Sequence, residues 1–407
     1  MVEIKNSYEV YKDSGVEWLG QIPEHWEISK FKRLFVEKKK TTNVELNCGS
    51  ISFGKVVYKD DERIPESTKR SYQVLSKGDF LINPLNLNYD LISLRIALSE
   101  IDVVVSSGYI ILKNKVKLDK DYYKWLLHIF DVVFMKTLGA GVRQTLSFTH
   151  LANCELVYPP LQEQTAIAAF LDDKTANIEQ AIAIKERQIA LLKERKQIII
   201  QEAVTKGLDK TVKMKDSCVE WIGMIPEHWE VRRFKFLCHI TTGSKNTEDK
   251  QEDGSYPFFV RSQTPERIDT YTYDGEAILT AGDGAGVGKV FHYVNEKFDF
   301  HQRVYKFSKF TNIKGKLLFY YLRSNFFNVA LNGEAKSTVD SLRLPLIQNF
   351  LVCVPKINEQ ESIINFIEAE SAKIDQAVSI KEQEIEKLKE YKVSLIDAVV
   401  MGKVKVC

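Results

Sequence analysis

The chain has 407 residues, and its 57 basic and 55 acidic side chains leave a net charge of only +2. At about 100–200 residues per domain, this length predicts two to four structural units. A composition with 44% hydrophobic and 28% charged residues excludes a disordered chain, a collagen-like chain and a small disulfide scaffold. The charge balance also excludes a protein that binds nucleic acid through bulk positive charge.

The N-terminus lacks the apolar core of a secretory signal, and no stretch of about 18 residues is free of charge, so no membrane span is expected. The six cysteines are scattered without a C-x-x-C pair, which is typical of reduced thiols rather than of a disulfide or zinc framework. We therefore expect a cytoplasmic protein.

One segment, which we call the head, occurs twice in the sequence. Residues 11–35 read YKDSGVEWLGQIPEHWEISKFKRLF and residues 214–238 read MKDSCVEWIGMIPEHWEVRRFKFLC, with 16 of 25 positions identical. The recurring tryptophans and histidines have no recurring nucleophile beside them, so they are predicted to dock the head by packing. The residues of this predicted docking cluster are Trp18, His25, Trp26, Trp221, His228 and Trp229.

The first body, between head and tail, mixes strand and helix patterns. Alternating or β-branched runs predict strands near 80–87, 91–99 and 102–113 and in the stretch that ends at Val157. The segment that begins at Asp121 has the periodicity of an amphipathic helix.

A tail segment is also written twice, from Pro159 and from Pro355, and in both copies a Glu-Gln pair precedes a long run without Pro or Gly. Apolar positions then recur at alternating steps of four and three, the spacing of a coiled-coil seam. Gly207 and Gly402 are predicted to end the two helices. Each helix has one apolar stripe, so the two are predicted to pair antiparallel or nearly so.

The predicted seam contains lysines at equivalent positions of both tails. They are either snorkelling side chains, or residues that fix the register or mark where the helix pair meets another protein. The seam residues are Ile178, Ile182, Lys185, Ile189, Leu192, Lys196 and Ile199 in the first tail, and Ile374, Val378, Lys381, Ile385, Leu388, Lys392 and Leu395 in the second.

The second body repeats the order of elements of the first. The run EAILTAGDGAGVGKVFHYV, at 276–294, predicts two strands joined by a glycine-rich hairpin, and a helix is predicted from Leu317. The fold class is therefore α+β, with two mixed α/β domains, a pair of long antiparallel helices and an internal pseudo-twofold duplication.

A search for catalytic motifs finds none. The glycine-rich run at 282–290 lacks the pattern of a phosphate loop, since Asp283 and Val290 occupy positions that need Gly and Ser or Thr. The Asn-Pro-Pro-aromatic quartet of DNA adenine methyltransferases is missing, and no spacing of histidines fits a metal-site template.

The duplicated head D-S-[GC]-V-E-W-[LI]-G-x-I-P-E-H-W-E and the duplicated tail P-x-[LI]-x-E-Q resemble those of the specificity subunit of type I restriction–modification systems. The resemblance implies two target recognition domains, at 1–158 and 211–354, and two conserved spacer helices, at 159–210 and 355–407. Each recognition domain would read one half of a bipartite, asymmetric site on double-stranded DNA.

The same resemblance implies a non-catalytic prokaryotic subunit that binds two methyltransferase (modification) subunits and, in the full complex, restriction/motor subunits. S-adenosylmethionine, ATP and Mg²⁺ would bind to those partners, and no cofactor or metal is expected on this chain. Two alternatives are a stand-alone DNA adenine methyltransferase, which the missing quartet disfavours, and a coiled-coil scaffold without DNA contact, which the two divergent bodies disfavour.

Base reading requires polar or charged side chains on loops. The DNA-binding candidates of the first body are Asn83, Asn86, Asn88, Tyr89, Arg95, Ser106, Ser107, Tyr109, Arg143 and Gln144. Those of the second body are Asp283, Lys289, His301, Gln302, Arg303, Lys336 and Ser337. A helix from Ile178 to Ala203 would be about 39 Å long, close to the 34–36 Å of one DNA turn, so the helices are predicted to set the spacing of the half-sites.

Overall fold

The computed structural model describes residues 7–62, 64–85, 94–135, 146–330 and 342–406. They divide into two units, of which the first contains residues 1–184 and 384–407 and the second contains residues 185–383. Each unit therefore combines one head, one body and parts of both long helices. The division into four consecutive segments stays a prediction.

The first unit carries twelve short strands in its described residues. They are β1 Tyr11–Asp13, β2 Gln21–Pro23, β3 Glu27–Lys30, β4 Phe35–Glu37, β5 Gly49–Ser52, β6 Lys55–Tyr58, β7 Gln73–Leu75, β8 Phe80–Ile82, β9 Ile96–Leu98, β10 Val103–Val105, β11 Ile110–Asn114 and β12 Glu155–Tyr158. The antiparallel order β4-β11-β8-β9 forms the main sheet, and the other strands pair as β1-β2, β3-β12, β5-β6 and β7-β10. The strand regions predicted from the sequence overlap β8 to β12, of which β11 and β12 each extend one residue beyond the predicted end.

The helices of the first body are α1 Phe31–Leu34, α2 Glu66–Lys69, α3 Lys120–Ile129 and α4 Phe148–Ala152. The Asp119 side chain caps α3 by accepting hydrogen bonds from the amides of Asp121 and Tyr122. A π-helical turn, Phe130–Met135, follows α3 directly. The amphipathic helix predicted from Asp121 is therefore present, and its apolar face, including Tyr122, Leu126 and Phe130, packs into the main core of this unit.

The second unit has a larger sheet. Its strands are β13 Met214–Asp216, β14 Met224–Pro226, β15 Glu230–Arg233, β16 His239–Thr242, β17 Tyr256–Phe259, β18 Glu266–Ile268, β19 Tyr273–Ala281, β20 Phe291–Phe300, β21 Val304–Ser308 and β22 Leu351–Val354. Six of them form the order β16-β21-β19-β20-β17-β18, while β13-β14 and β15-β22 pair separately. The predicted strand–hairpin–strand is the antiparallel pair β19-β20.

The helices of the second unit's body are α6 Gly315–Ala330 and α7 Leu344–Asn349. The head strand of each half pairs with the last strand of its body in the same way, β3 with β12 and β15 with β22. This shared pairing shows that the duplication seen in the sequence extends to strand topology.

The two long helices are α5 Leu161–Lys206 and α8 Ile357–Val400. Gly207 and Gly402, which follow them, have φ of +73° and +70°, the left-handed conformation that glycine adopts at a helix C-terminus. Among the described residues, none of the helices is both long and apolar enough to cross a membrane.

Candidate DNA interface

A carboxylate in the first turn of α5 binds the head of the first unit. Trp26 Nε1 donates to Glu163 Oε2 at 2.9 Å, and Tyr8 OH donates to the same oxygen at 2.7 Å. His25 Nε2 lies 2.6 Å from Glu163 Oε1. Trp26 is fully buried. The repeated head and the repeated tail therefore bind each other, which gives the predicted docking role of His25 and Trp26 a geometric basis.

The second unit holds the same arrangement. Trp229 Nε1 donates to Glu359 Oε2 at 2.9 Å, and His228 Nε2 lies 2.6 Å from Glu359 Oε1. Glu359 is in the first turn of α8, as Glu163 is in the first turn of α5. We call each of these carboxylates, with the His-Trp pair that contacts it, a head–tail clamp.

Hydrogen bonds alter the ionisation of Glu163. Burial opposes its ionised form, but hydrogen bonds from Trp26, Tyr8 and His25 outweigh burial and hold the pKa of Glu163 below its usual value. The carboxylate is thus a charged acceptor, and such hydrogen bonds are stronger than neutral ones.

The glutamine beside each clamp carboxylate fixes the body to the long helix. Gln164 accepts from the amide of Asp119, just before α3, and donates to the carbonyl of Pro159, both at 2.8 Å. Gln360 accepts from the amide of Lys314, just before α6, at 2.8 Å and donates to Pro355 at 3.0 Å. Both glutamines are fully buried. The Glu-Gln pair of each tail therefore joins head, body and helix.

The other two docking tryptophans contact the bodies. The ring of Trp18 lies 5.5 Å from that of Phe130, and Trp221 stacks on Phe350 at 5.2 Å with an interplanar angle of 13°. The four tryptophans thus have two roles, because Trp26 and Trp229 bind the helix and Trp18 and Trp221 pack on the body.

A cluster of exposed arginines lies at one end of the large sheet of the second unit. Asp283 Oδ1 accepts from Arg261 at 2.9 Å, and Asp283 Oδ2 accepts from Arg303 at 2.6 Å. The arginine side chains are 45% and 59% exposed, whereas that of Asp283 is 13% exposed. Burial of Asp283 favours its neutral form, but the two arginines prevail and keep its pKa below the usual value. Asp283 therefore orients two cations toward solvent.

Gln302 is exposed in the same cluster and donates to Asn246 Oδ1 at 2.5 Å. His301 differs from the sequence expectation, because its side chain is buried and Nδ1 accepts from the amide of Arg303 at 3.0 Å. Burial, followed by Arg261 and Arg303, lowers the pKa of His301. The enclosed ring shapes the turn that presents Arg303, which disfavours direct base contact by His301. Its role in DNA binding stays a prediction.

Among the remaining candidates of the second body, Lys289 is exposed in the loop between β19 and β20. Lys336 and Ser337 lie outside the described residues.

The candidates of the first body are less concentrated. Asn83 accepts from the amide of Leu85 at 3.1 Å, which is a local turn contact. Ser106, Ser107 and Tyr109 form the turn between β10 and β11, where the buried Gln73 donates to the Tyr109 carbonyl at 2.7 Å. Ser107 is exposed at this turn. The five candidates Asn86, Asn88, Tyr89, Arg143 and Gln144 lie outside the described residues.

Arg95 also departs from its predicted role. Its Nε donates to Asp131 Oδ1 at 2.8 Å, and the two side chains are only 7% and 0% exposed. A buried arginine paired with a buried aspartate is not available to a base edge, and breaking such a pair is costly. The pair links the start of β9 to the π-helical turn after α3 and disfavours base contact by Arg95. The prediction that Arg95 reads DNA stays a prediction.

The predicted seam residues of α5 and α8 are all buried or partly buried. In the second unit, Lys196 contacts Asp375 at 2.6 Å and Lys193 contacts Glu382 at 4.0 Å, so these parts of the helices run antiparallel. Coiled-coil packing itself stays a prediction, but the ion pairs favour the register-fixing role of Lys196 over simple snorkelling.

Comparison with known proteins assigns the family. The model of the type I restriction modification DNA specificity domain matches the chain twice, at residues 23–191 and 226–390. The chain belongs to this family. It is accordingly a DNA-recognition subunit of a type I restriction–modification system with two specificity domains, as the resemblance of its heads and tails implied.

Relatives of this specificity subunit agree with the assignment. It is 26% identical to the type I restriction enzyme MjaVIII specificity subunit of Methanocaldococcus jannaschii over 74% of this chain and 75% of that protein. It is 27% identical to the EcoDI specificity subunit of Escherichia coli over 44% of this chain and 39% of that protein.

Solved structures share the fold. A chain from a study of complex assembly and conformational transition of the type I R-M system matches with a TM-score of 0.70 and 15% identity, covering 93% of this chain and 98% of that one. The HsdS subunit from Thermoanaerobacter tengcongensis matches with a TM-score of 0.55 and 14% identity, covering 96% and 99%. At these identities the likeness concerns the fold alone.

Sequence reasoning missed several residues of the specificity domains. Glu163, Gln164 and their counterparts were part of the repeated motif, and their recurrence was the available signal for the clamp. Arg261 follows a buried strand and begins a polar loop, 261–265. This position at the end of a strand is the signal from which Arg261 could have been predicted.

Proposed function

We propose that each unit of this specificity subunit reads one half of a bipartite, asymmetric sequence on double-stranded DNA. The observation that supports this is the contrast between parts: the two units share a head–tail clamp of nearly identical geometry, yet carry bodies with different sheets. Two different surfaces on one repeated framework suit two different half-sites.

In the second unit, the proposed reading residues are Arg261, Gln302 and Arg303. Arginine recognises guanine in the major groove through two hydrogen bonds, which contribute about 1–3 kcal/mol of discrimination. Asp283 holds both guanidinium groups in defined positions, so part of their conformational entropy is lost before DNA binds. Lys289, Lys336 and Ser337 remain proposed contacts for the same half-site.

In the first unit, the turn at Ser106, Ser107 and Tyr109 is the proposed contact among the described residues, together with Asn83. Asn86, Asn88, Tyr89, Arg143 and Gln144 remain proposed from the sequence. Residues 1–158 carry 22 basic against 20 acidic side chains, and residues 211–354 carry 19 against 17, so the chain alone can neutralise few phosphates. We therefore expect weak DNA binding by the isolated chain and firmer binding in the assembled complex.

We propose that α5 and α8 set the spacing between half-sites and bind two methyltransferase subunits, with restriction/motor subunits joining in the full complex. The chain itself is proposed to be non-catalytic and to act in the prokaryotic cytoplasm. S-adenosylmethionine, ATP and Mg²⁺ are assigned to the partner subunits, and the described residues contain no group of three or more His, Cys, Asp or Glu side chains placed to hold a metal.

The test is to map methylated adenines in DNA from cells that express the chain with its modification subunit. We expect a two-part asymmetric motif, and Arg303→Gln should relax or change one half of it while the other half is retained. Arg323→Gln, on the exposed side of α6, is the matched control and should leave both halves unchanged.

A short palindromic motif would contradict the bipartite proposal. An unchanged motif in Arg303→Gln would remove the arginine cluster from the reading surface without affecting the family assignment.

A further inference from the structure

A cavity of about 260 Å³ lies beside the head–tail clamp of the second unit. Its lining combines apolar walls with the polar groups of the clamp. The lining residues that matter here are Gly207, Pro226, His228, Trp229, Glu359 and Ile363. Lys206, Asp209 and Asn358 at its rim are exposed, so the cavity can be reached from solvent.

The first unit fills the corresponding position with a tyrosine of its own chain. The Tyr8 ring lies 5.5 Å from the ring of His25 and 5.9 Å from that of Trp26. Its hydroxyl donates to Glu163 Oε2 at 2.7 Å, and the residue is only 8% exposed. The clamp of the first unit is thus a complete tyrosine site with its occupant present.

The second unit has a different residue at that position. Tyr8 stands three residues before β1, and Thr211 stands three residues before β13. The following strands have matching registers, because Tyr11 pairs with Pro23 as Met214 pairs with Pro226. The Thr211 hydroxyl donates to Asp209 Oδ1 at 2.6 Å.

The exposure of the carboxylates reflects this difference. The side chain of Glu163 is 16% exposed, whereas that of Glu359 is 35% exposed, although His and Trp contact both at the same distances. Glu359 Oε2 therefore accepts from Trp229 as Glu163 Oε2 does from Trp26, but without a tyrosine hydroxyl from the neighbouring head segment.

We propose that this cavity binds a tyrosine side chain of a partner polypeptide, with the ring against His228 and Trp229 and the hydroxyl donating to Glu359 Oε2. The first unit defines the ligand chemistry. There Tyr8 is enclosed by Glu163, His25 and Trp26, the counterparts of Glu359, His228 and Trp229. A polypeptide is the proposed source because Tyr8 occupies the site as part of a chain segment whose own amide is hydrogen-bonded, to Tyr11 OH at 3.2 Å.

The test is a titration of the full chain with N-acetyl-L-tyrosinamide, followed by calorimetry and ligand-observed NMR. We expect one site per chain with a dissociation constant on the order of 1 mM, typical of a ligand of this size. N-acetyl-L-phenylalaninamide, which lacks the hydroxyl, should bind at least about tenfold more weakly, because the bond to a charged acceptor is lost. p-Cresol, which lacks the backbone, should also bind more weakly.

Two variants locate the site. Thr211→Tyr should fill the cavity from within the chain and abolish binding, whereas Tyr8→Thr should open the first unit and raise the stoichiometry from one site to two. Circular dichroism checks that each variant is folded, and the Tyr8→Thr result decides if Thr211→Tyr does not fold.

The proposal is overturned if the wild-type chain shows no saturable binding, if folded Thr211→Tyr binds as the wild type does, or if folded Tyr8→Thr still binds one equivalent. p-Cresol binding as tightly as the tyrosine amide would overturn the polypeptide source and indicate a free phenol.

Discussion

Lys196 Nζ lies 2.6 Å from Asp375 Oδ2, so α5 and α8 are joined by an ion pair within the second unit. The first unit contains the equivalent pair, Lys392 and Glu179, also at 2.6 Å. Lys392 lies 196 residues after Lys196, and Asp375 lies 196 residues after Glu179, which is the separation of the two tails. The duplication therefore extends to individual contacts between the helices, and each tail contributes the lysine of one pair and the acid of the other.

We expect the Lys196–Asp375 pair to contribute modestly to stability. Reversing either charge, by Lys196→Glu or Asp375→Lys, should lower the urea midpoint, and the double variant should regain part of the loss. Because the Asp375 side chain is 63% exposed, the coupling free energy should be about 0.2–1 kcal/mol and should fall as salt is added.

The more distant pair Lys193–Glu382, at 4.0 Å with both side chains more than half exposed, is the matched control. Its double-mutant cycle should give a smaller coupling. Equal couplings in the two cycles would show that Lys196 has no special role in the register.

The clamp of the first unit should make stability depend on pH. The pKa of Glu163 is lower in the folded chain, so the unfolded state binds the proton more readily. The stabilisation is therefore present above the unfolded pKa of about 4.3 and is lost as pH falls through the folded pKa. Glu163→Gln should lower the urea midpoint at pH 7. The midpoint of this variant should also fall less steeply than that of the wild type between about pH 5 and pH 3.

Glu186→Gln is the control, because it removes the same charge from an exposed position of the same helix. Its urea midpoint should depend on pH as that of the wild type does. A Glu163→Gln variant with the wild-type midpoint at pH 7 would show that the clamp hydrogen bonds contribute nothing to stability.

The elements of the fold that could be predicted are those whose signal is local. The spacing of apolar residues at alternating steps of four and three predicted α5 and α8. The repeated tail sequence predicted that the two helices are equivalent. The glycine-rich run between two apolar strands gave the β19-β20 hairpin. The sheet order and the parallel pairing of β17 with β20 could not be predicted, because strand partners far apart in the sequence leave no local pattern.

The candidate site shows the same limit at the level of single residues. Arg95 and His301 are polar residues near strands, and nothing in their neighbourhood distinguishes a solvent-facing side chain from a buried one. Asp131 lies 36 residues from Arg95, so their ion pair was invisible in the sequence. Part of the clamp could be predicted from the sequence, since His25 and Trp26 recur together in both heads. That Glu163 is the acceptor for both could be seen only in the structure.

His301 should make the turn that presents Arg303 sensitive to acid. Its pKa is lowered in the fold by burial and then by Arg261 and Arg303, so the unfolded or opened turn binds a proton more readily. The stabilisation is complete above the unfolded pKa of about 6.5 and is lost as pH falls below it. Hydrogen exchange of residues 299–305 should therefore increase between pH 7 and pH 5.5, after correction for intrinsic rates.

His301→Asn retains an acceptor for the Arg303 amide but does not titrate, so its corrected exchange should be independent of pH over this range. Segment 237–241, around the exposed His239, serves as the internal control. A wild-type turn with no pH dependence would show that His301 does not hold it.

Shortening both long helices should shorten the spacer between half-sites. Removing residues 184–190 from α5 and 380–386 from α8 deletes one heptad from each and keeps the seam in register. Seven residues correspond to about 10 Å of helix, or about three base pairs at 3.4 Å each. Methylation mapping should then give the same two half-site sequences with a spacer about three base pairs shorter. A spacer of unchanged length in a folded, active variant would show that the helices do not determine it.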